Sequence, residues 1–356
     1  MNTKSSKHSL FLNWIVGFLF SFLFIWSVSY FFSDTHIIYT WNREIKNYVY
    51  APIIVKHRSE GWGISHIGKY GISGIPDITK VTDPKAAIWG DSHLEALEVN
   101  DKDKIPQLIT QLCISNKIDM CFFGIGNSGD DCADYYFGIP KLEAIVPKIL
   151  IHYILIHDLD DTLPDKSDSR CLFLSQPKLR FVEKKRKLPY PEYQNIRKFI
   201  YKYKLDFLMG PVQTLLYDTK LRFAIGPIAT PSLKEIINLE NTSKKNNDSW
   251  SFLLKKFKQQ TKRPIVFVYF PTIPNIKGTI NYDDSDISLK NGFMKACLKQ
   301  NIDFIDMTSE FIDYYKNNYK FPRGFINSNI SEGHLNSVGH KLIAKKIYQH
   351  FLKKRI

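Results

Sequence analysis

Hydrophobic residues fall along this chain in two regimes. Residues 10–32 (LFLNWIVGFLFSFLFIWSVSYFF) carry no charge and leave no face polar. As a helix rising 1.5 Å per residue, that stretch is about 34 Å long, enough for a ~30 Å hydrocarbon layer. Beyond it the apolar residues come as short runs followed by stretches of helical spacing. The runs AAIW (86–89), DMCFFGIG (119–126), ILIHYILIH (149–157), PIVFVYF (264–270) and IDFIDM (302–307) read as buried strands. Residues 105–113 and 337–352 read as helices, the second closing the chain with Ile343, Ile347 and Phe351 on one face. A further helix is expected to be broken or started near Pro140. Strands alternating with helices predict an α/β fold with about five parallel strands covered on both faces. In such sheets, active residues gather at the carboxyl ends of the strands.

The pattern divides the chain into a tail (1–9), a transmembrane helix (10–32), a linker and lead-in segment (33–85) and one large domain (86–356). Lys4 and Lys7 precede the apolar stretch and Asp34 follows it, so the positive-inside rule puts the N-terminus in the cytoplasm and the domain outside. A cleaved signal peptide is the alternative; the stretch exceeds the usual ~7–15-residue apolar region and no small-x-small site follows. YVYAPIIV (48–55) reads as extended, and the glycine-rich stretch after it as loop.

About a hundred residues (158–263) separate the third strand from the fourth, too many for one crossover. This insertion changes the meaning of the net charge of +14. Between Lys178 and Lys204 stand ten Lys/Arg against only Glu183 and Glu192, and residues 195–208 space Ile196, Phe199, Ile200, Tyr203 and Phe207 helically. Either this is a solvated face, or a basic interfacial helix meeting anionic headgroups, or a surface for acidic glycan. No recognition motif points to nucleic acid. Five cysteines without a CxxC pair exclude a zinc ribbon and a disulfide-dense scaffold, though a disulfide remains open outside the cytoplasm. No HExxH or carboxylate-rich loop suggests a metal, and GIGNSG lacks the GxGxxG spacing, so neither metal nor cofactor is expected.

Candidate chemistry lies at the two ends of the domain. The first strand runs into Gly90-Asp91-Ser92-His93, a turn that either is a simple Ser/Asp cap or projects a serine hydroxyl into the cleft. Gly333-His334-Leu335-Asn336 precedes the closing helix, and the topology brings His334 to the same sheet edge, where it could take the serine proton.

These residues resemble the SGNH/GDSL esterase and acyltransferase superfamily, over roughly residues 61–352 with the insertion unmatched. IWGDSHLEA (88–96) is similar to its first block, in the GDSH form found in envelope carbohydrate O-acyltransferases; GIGNSGD (124–130) to its second; GHLNSVGHKLIA (333–344) to its fifth. The resemblance implies a three-layer, flavodoxin-like α/β/α fold. It implies Ser92 as nucleophile, His334 as base, the N–H groups of Ser92 and Gly129 as oxyanion donors, and supporting roles for Asp91 and Asn336. Two positions depart from the pattern. His157 stands where the family has an asparagine oxyanion donor, and Ser331 stands where it often has the orienting Asp. That leaves Glu332, or a Ser-His dyad braced by a carbonyl, to orient His334. The function implied is ester cleavage on an envelope carbohydrate. Alternatives are O-acyl transfer to a glycan, with an integral-membrane acyl donor as partner, and a catalytically weak glycan-binding or scaffold protein. The place implied is the bacterial inner membrane, as a single-pass protein with its domain in the periplasm.

Overall fold

The computed structural model describes residues 4–32, 34–35, 37–45, 47–159, 171–174, 180–183, 194–205 and 249–354. Helix α1 (Lys4–Phe32) contains a stretch, Ser9–Val28, that is long and apolar enough to cross a membrane and has none of its residues buried in the rest of the protein.

Five strands make the central sheet: β1 (Lys85–Gly90), β2 (Cys121–Gly126), β3 (Ile149–Ile156), β4 (Ile265–Tyr269) and β5 (Asp303–Asp306). All pair in parallel, in the order β5-β4-β3-β1-β2. Strand order reverses at β1, so a crevice opens beyond its carboxyl end, where doubly wound sheets take their ligands.

Alternation along each strand divides the core. Ala87, Trp89, Phe123, Ile154 and Phe267 face one layer, formed by α4 (Cys132–Ile145), α6 (249–260) and α7 (Ile287–Lys299). Ala86, Ile88, Phe122, Tyr153 and Val266 face the other, formed by α3 (Ile105–Ser115), α8 (Thr308–Asn318) and α9 (Ser337–Lys354). The expected three layers and five strands are present.

Three expectations need correction. Pro140 neither breaks nor starts a helix: α4 begins eight residues earlier, where Asp131 and Asp134 form a reciprocal capping box, and runs through the proline. The apolar run 48–55 is not one strand. Asn47–Tyr50 pairs with Tyr39–Asn42, and Ile54–Lys56 pairs with Ile64–His66. Nor is the lead-in segment a mere linker. Tyr50, Val55 and Ile67 are buried with Leu97 in a small core of their own, beside α2 (Ser92–Glu95).

Within the insertion, α5 (Gln194–Tyr203) forms as the apolar spacing predicts. Two short strands, Cys171–Leu174 and Arg180–Glu183, pair antiparallel. Lys178, the basic residues 184–187, the polar stretch 241–248 and the helical expectation past Leu205 lie outside the described residues. Cys113, Cys121 and Cys297 are free thiols, and all three are buried, as is Cys132.

Candidate active site

The nucleophile candidate sits where β1 ends. Asp91 caps the four-residue α2, its carboxylate accepting the His93 N–H at 2.9 Å, and Ser92 is the first helical residue. Gly90 has to be glycine, because a Cβ there would stand 2.7 Å from the Leu94 side chain. As a first-turn amide, the Ser92 N–H has no intrahelical partner and is available to a ligand.

His334 arrives from the strand Ile330–Leu335, which pairs with Arg323–Gly324. Its Nε2 lies 3.0 Å from Ser92 Oγ. Its Nδ1 lies 2.7 Å from Glu60 Oε2, and its backbone N–H donates to Glu60 Oε1 at 3.0 Å. One carboxylate therefore fixes both the ring and the main chain of His334. Fixing the proton on Nδ1 leaves Nε2 unprotonated and facing the serine, the arrangement of a Ser-His-acid triad.

The carboxylate that holds His334 is thus Glu60; Glu332 makes no such bond. Glu332 is exposed. Ser331 and Gly333 on either side of it both have positive φ (78° and 80°), which breaks the strand alternation that could have set residues 332 and 334 on one face. Gly333 also makes room for the true partner: a Cβ there would lie 2.6 Å from Glu60 Oε1. Ser331 braces a neighbouring hairpin instead, its Oγ accepting the Ile276 N–H at 2.9 Å. The loop holding Glu60 is fastened by Asn327, whose side chain accepts from Gly61 N and donates to the carbonyls of Arg58 and Gly61.

A second carboxylate, Glu98, is buried with Oε1 3.3 Å from His334 Nδ1. Burial alone pulls the His334 pKa down, but the Glu60 bond and the charges of Glu98 and Glu60 outweigh it and hold the imidazole above its usual value. Burial raises Glu60, yet its bonds to His334 leave it below the usual carboxylate range. For Glu98 burial prevails, and its pKa is raised.

His157 closes the other side of the crevice. Its Nε2 lies 2.8 Å from Asp91 Oδ2. Burial pushes Asp91 up, but the bonds from His157 and the His93 amide hold it below the usual range, so this carboxylate is ionised and only accepts. Neutral His157 must place its one proton on Nε2, toward Asp91. In that tautomer Nδ1 carries the lone pair.

His93 fastens parts together. Its Nδ1 accepts the Leu335 N–H at 3.2 Å, tying α2 to the strand that carries His334. Burial and the nearby Arg323 charge depress its pKa well below the usual value, so it stays neutral. Arg323, itself buried, donates to the carbonyls of Pro271, Gly333 and Phe270 and thereby clamps the end of β4 to the His334 strand. Asn336 caps α9, accepting from Val338 N and Gly339 N, and holds Phe321 and Gly324 through its Nδ2.

Gly129 lies in the loop after β2 with φ +74°, a conformation that favours glycine. That loop is pinned to α2, because Ser128 N donates to Glu95 Oε2 at 2.9 Å. Glu95 is wholly buried, which pushes its pKa up to about 8.

Among the described residues, two trios bring ligand atoms within 4.8 Å of one another: Asp91, His93 and His157, and Glu60, Glu98 and His334. In the first, the Arg323 guanidinium stands 3.4 Å from His93 and opposes a cation. In the second, the imidazole nitrogen already donates to a carboxylate.

The fold and site define an α/β protein with a parallel 2-1-3-4-5 sheet and a Ser-His-Glu constellation at its carboxyl edge. No family model and no curated protein matches the sequence. Among solved structures, the chain is similar to an acetyl xylan esterase, AlAXEase, at 13% identity and a TM-score of 0.39, covering 75% of this chain and 98% of that one. It is similar to phospholipase A1 from Streptomyces albidoflavus NA297 at 11% identity and a TM-score of 0.39, covering 77% and 100%. A lipase/acylhydrolase from Enterococcus faecalis gives 10% identity and a TM-score of 0.38, covering 76% and 96%.

Proposed function

We propose that this chain is an SGNH-type serine esterase, held to a membrane by α1, that cleaves acyl esters of an envelope carbohydrate. The observation that carries the proposal is the relay Ser92 Oγ–His334 Nε2–Nδ1–Glu60, at 3.0 and 2.7 Å. The sequence blocks around Ser92, Gly129 and His334 support the SGNH type, and the GDSH form supports a carbohydrate ester.

In this reading His334 Nε2 takes the proton of Ser92 Oγ as the oxygen attacks the acyl carbonyl carbon. The carbonyl π pair moves onto oxygen, which the N–H groups of Ser92 and Gly129 stabilise. Glu60 keeps the ring in register and offsets the charge of the imidazolium. The tetrahedral carbon then re-forms its carbonyl and expels the sugar oxygen, which takes the proton from Nε2. Water attacks the acyl-serine by the same route in reverse: His334 accepts a water proton and returns it to Ser92 Oγ as the free acid leaves. If a glycan hydroxyl replaces water, the same residues perform acyl transfer.

The test uses the full chain in detergent with O-acetylated oligosaccharides and a fluorophosphonate. Expected are acetate release and a Ser92 adduct, both lost in Ser92→Ala. Absence of a Ser92-dependent adduct, or acetate release unchanged in Ser92→Ala, would overturn the reading. Acetyl appearing on an added glycan acceptor in place of free acetate would make transfer the activity.

A further inference from the structure

Helix α5 has two faces with different fates. On one, Ile200 is 4% exposed and Gln194 is 5% exposed. This face is fastened to the lead-in segment: Tyr39 N donates to Gln194 Oε1 at 3.1 Å, Ile54 N donates to the Tyr201 hydroxyl at 3.4 Å, and Arg197 Nη1 donates to the Ile37 carbonyl at 3.3 Å. On the other face, Ile196, Phe199 and Tyr203 are 45%, 55% and 49% exposed. They recur at the spacing that lines one side of a helix, and the Phe199 and Tyr203 rings touch with centroids 4.7 Å apart. Lys198 and Lys202 flank them, both exposed, and no acid lies between residues 194 and 205.

Position supplies the occupant. The membrane-length helix α1 ends at Phe32, and α5 holds the chain at Ile37. Five residues span at most ~18 Å even when fully extended. If α1 crosses a bilayer, the point at which α5 is fastened sits within that tether length of the end of α1, and its apolar face lies one helix width (~10 Å) further out. A short helix with aromatic and aliphatic side chains on one face and lysines beside them is built to lie in an interface plane, its cations on lipid phosphates.

We infer that α5 docks on the surface of an anionic phospholipid bilayer next to the exit of α1. Ile196, Phe199 and Tyr203 enter the headgroup–acyl boundary, and Lys198 and Lys202 meet phosphates. The inference rests on the reading of α1 as a spanning helix. Because Tyr201 holds the strand Ile54–Lys56, which leads to Glu60, docking also steadies the segment that carries the acid of the site.

The full chain is reconstituted in phosphatidylglycerol-containing vesicles and in phosphatidylcholine vesicles, with p-benzoylphenylalanine replacing either Phe199 or Leu298. Leu298 is an equally exposed control on α7. Irradiation is expected to give lipid adducts from position 199 several-fold above the control. The yield should be lower in phosphatidylcholine and lower again with Lys198→Glu and Lys202→Glu together. Adducts to peptide, whether from this chain or another protein, or a lipid yield equal to that of position 298, would overturn the inference while leaving the anchor standing. Release from the vesicles by alkaline carbonate would overturn the spanning reading and this inference with it. Esterase activity, read in detergent, tests the catalytic reading separately.

Discussion

At the residue scale the site is governed by which nitrogen of each imidazole carries a proton. His334 is a base only when unprotonated. Its pKa lies above the usual value, so kcat/KM should fall with decreasing pH along a limb whose midpoint lies above ~6.5. Glu60→Gln removes the ionic hydrogen bond and one of the charges that raise that pKa. The limb should then move to lower pH while the plateau falls by roughly 10²-fold or more, moderated relative to the ~10⁴ cost of losing a lone triad acid because Glu98 stands 3.3 Å from the same nitrogen. Glu332→Gln should change neither, and a pH–rate profile of the three proteins checks both statements. His157 gives a second contrast. Removing a working oxyanion donor costs about 10²–10³ in rate. With its Nε2 on Asp91, His157 presents no N–H to the oxyanion in its neutral form. His157→Asn, which supplies an amide N–H at that place, is therefore expected to keep kcat/KM within a few-fold of the parent or to raise it, measured on p-nitrophenyl acetate at neutral pH.

Elements set how these residues meet, and here the sequence was legible unevenly. The five strands announce themselves as apolar runs because a parallel strand buried on both faces tolerates little else. Ser92 and His334 follow, since each stands where a strand gives way to a helix. Glu60 was not legible. It lies in a glycine-rich stretch with no periodicity, 32 positions before the serine, and its role comes from tertiary contacts: the Asn327 clamp, the left-handed Gly333 and a small satellite core under the hairpins. The chain holds two Ser-Glu-Gly tripeptides, 59–61 and 331–333, and only the distant one reaches the histidine. Gly333 tests this at the level of backbone. Gly333→Ala sets a methyl against Glu60 and strains a φ of 80°, so activity should drop by at least ~10-fold, since ~1 Å of misplacement can cost 10². Far-UV circular dichroism should stay unchanged, which separates this from unfolding. Pro140 does not mark a helix end because the capping box at Asp131 starts α4 well before it.

For the whole molecule, the buried carboxyl of Glu95 links the site loop to global stability. Its pKa is about 8 in the folded protein and near 4.5 when unfolded. Between those values the folded state holds a proton that the unfolded state has released. Stability therefore declines as pH rises from ~4.5 through ~8. Glu95→Gln keeps an acceptor for Ser128 N–H and has no charge to bury. Its thermal midpoint should match the parent near pH 4.5 and exceed it increasingly toward pH 8, as followed by calorimetry. At this scale the lead-in segment (33–85) is packed into the fold, its Tyr50, Val55 and Ile67 buried with Leu97. The lead-in segment carries Glu60, which holds His334, and α5 stitches that segment to the insertion.

Where Glu60 falls along the chain has a consequence for how the protein can be set free. Cleavage between residues 33 and 57 would part α1 from the covalent frame of the domain and leave Glu60 on the domain's side of the cut. Cleavage between 61 and 84 would sever Glu60 from the covalent frame that carries Ser92 and His334, leaving it held by hydrogen bonds and hairpin packing alone. If α1 spans a membrane and the site works as proposed, the side of Glu60 on which a protease cuts this stretch is expected to decide whether the freed domain keeps its activity.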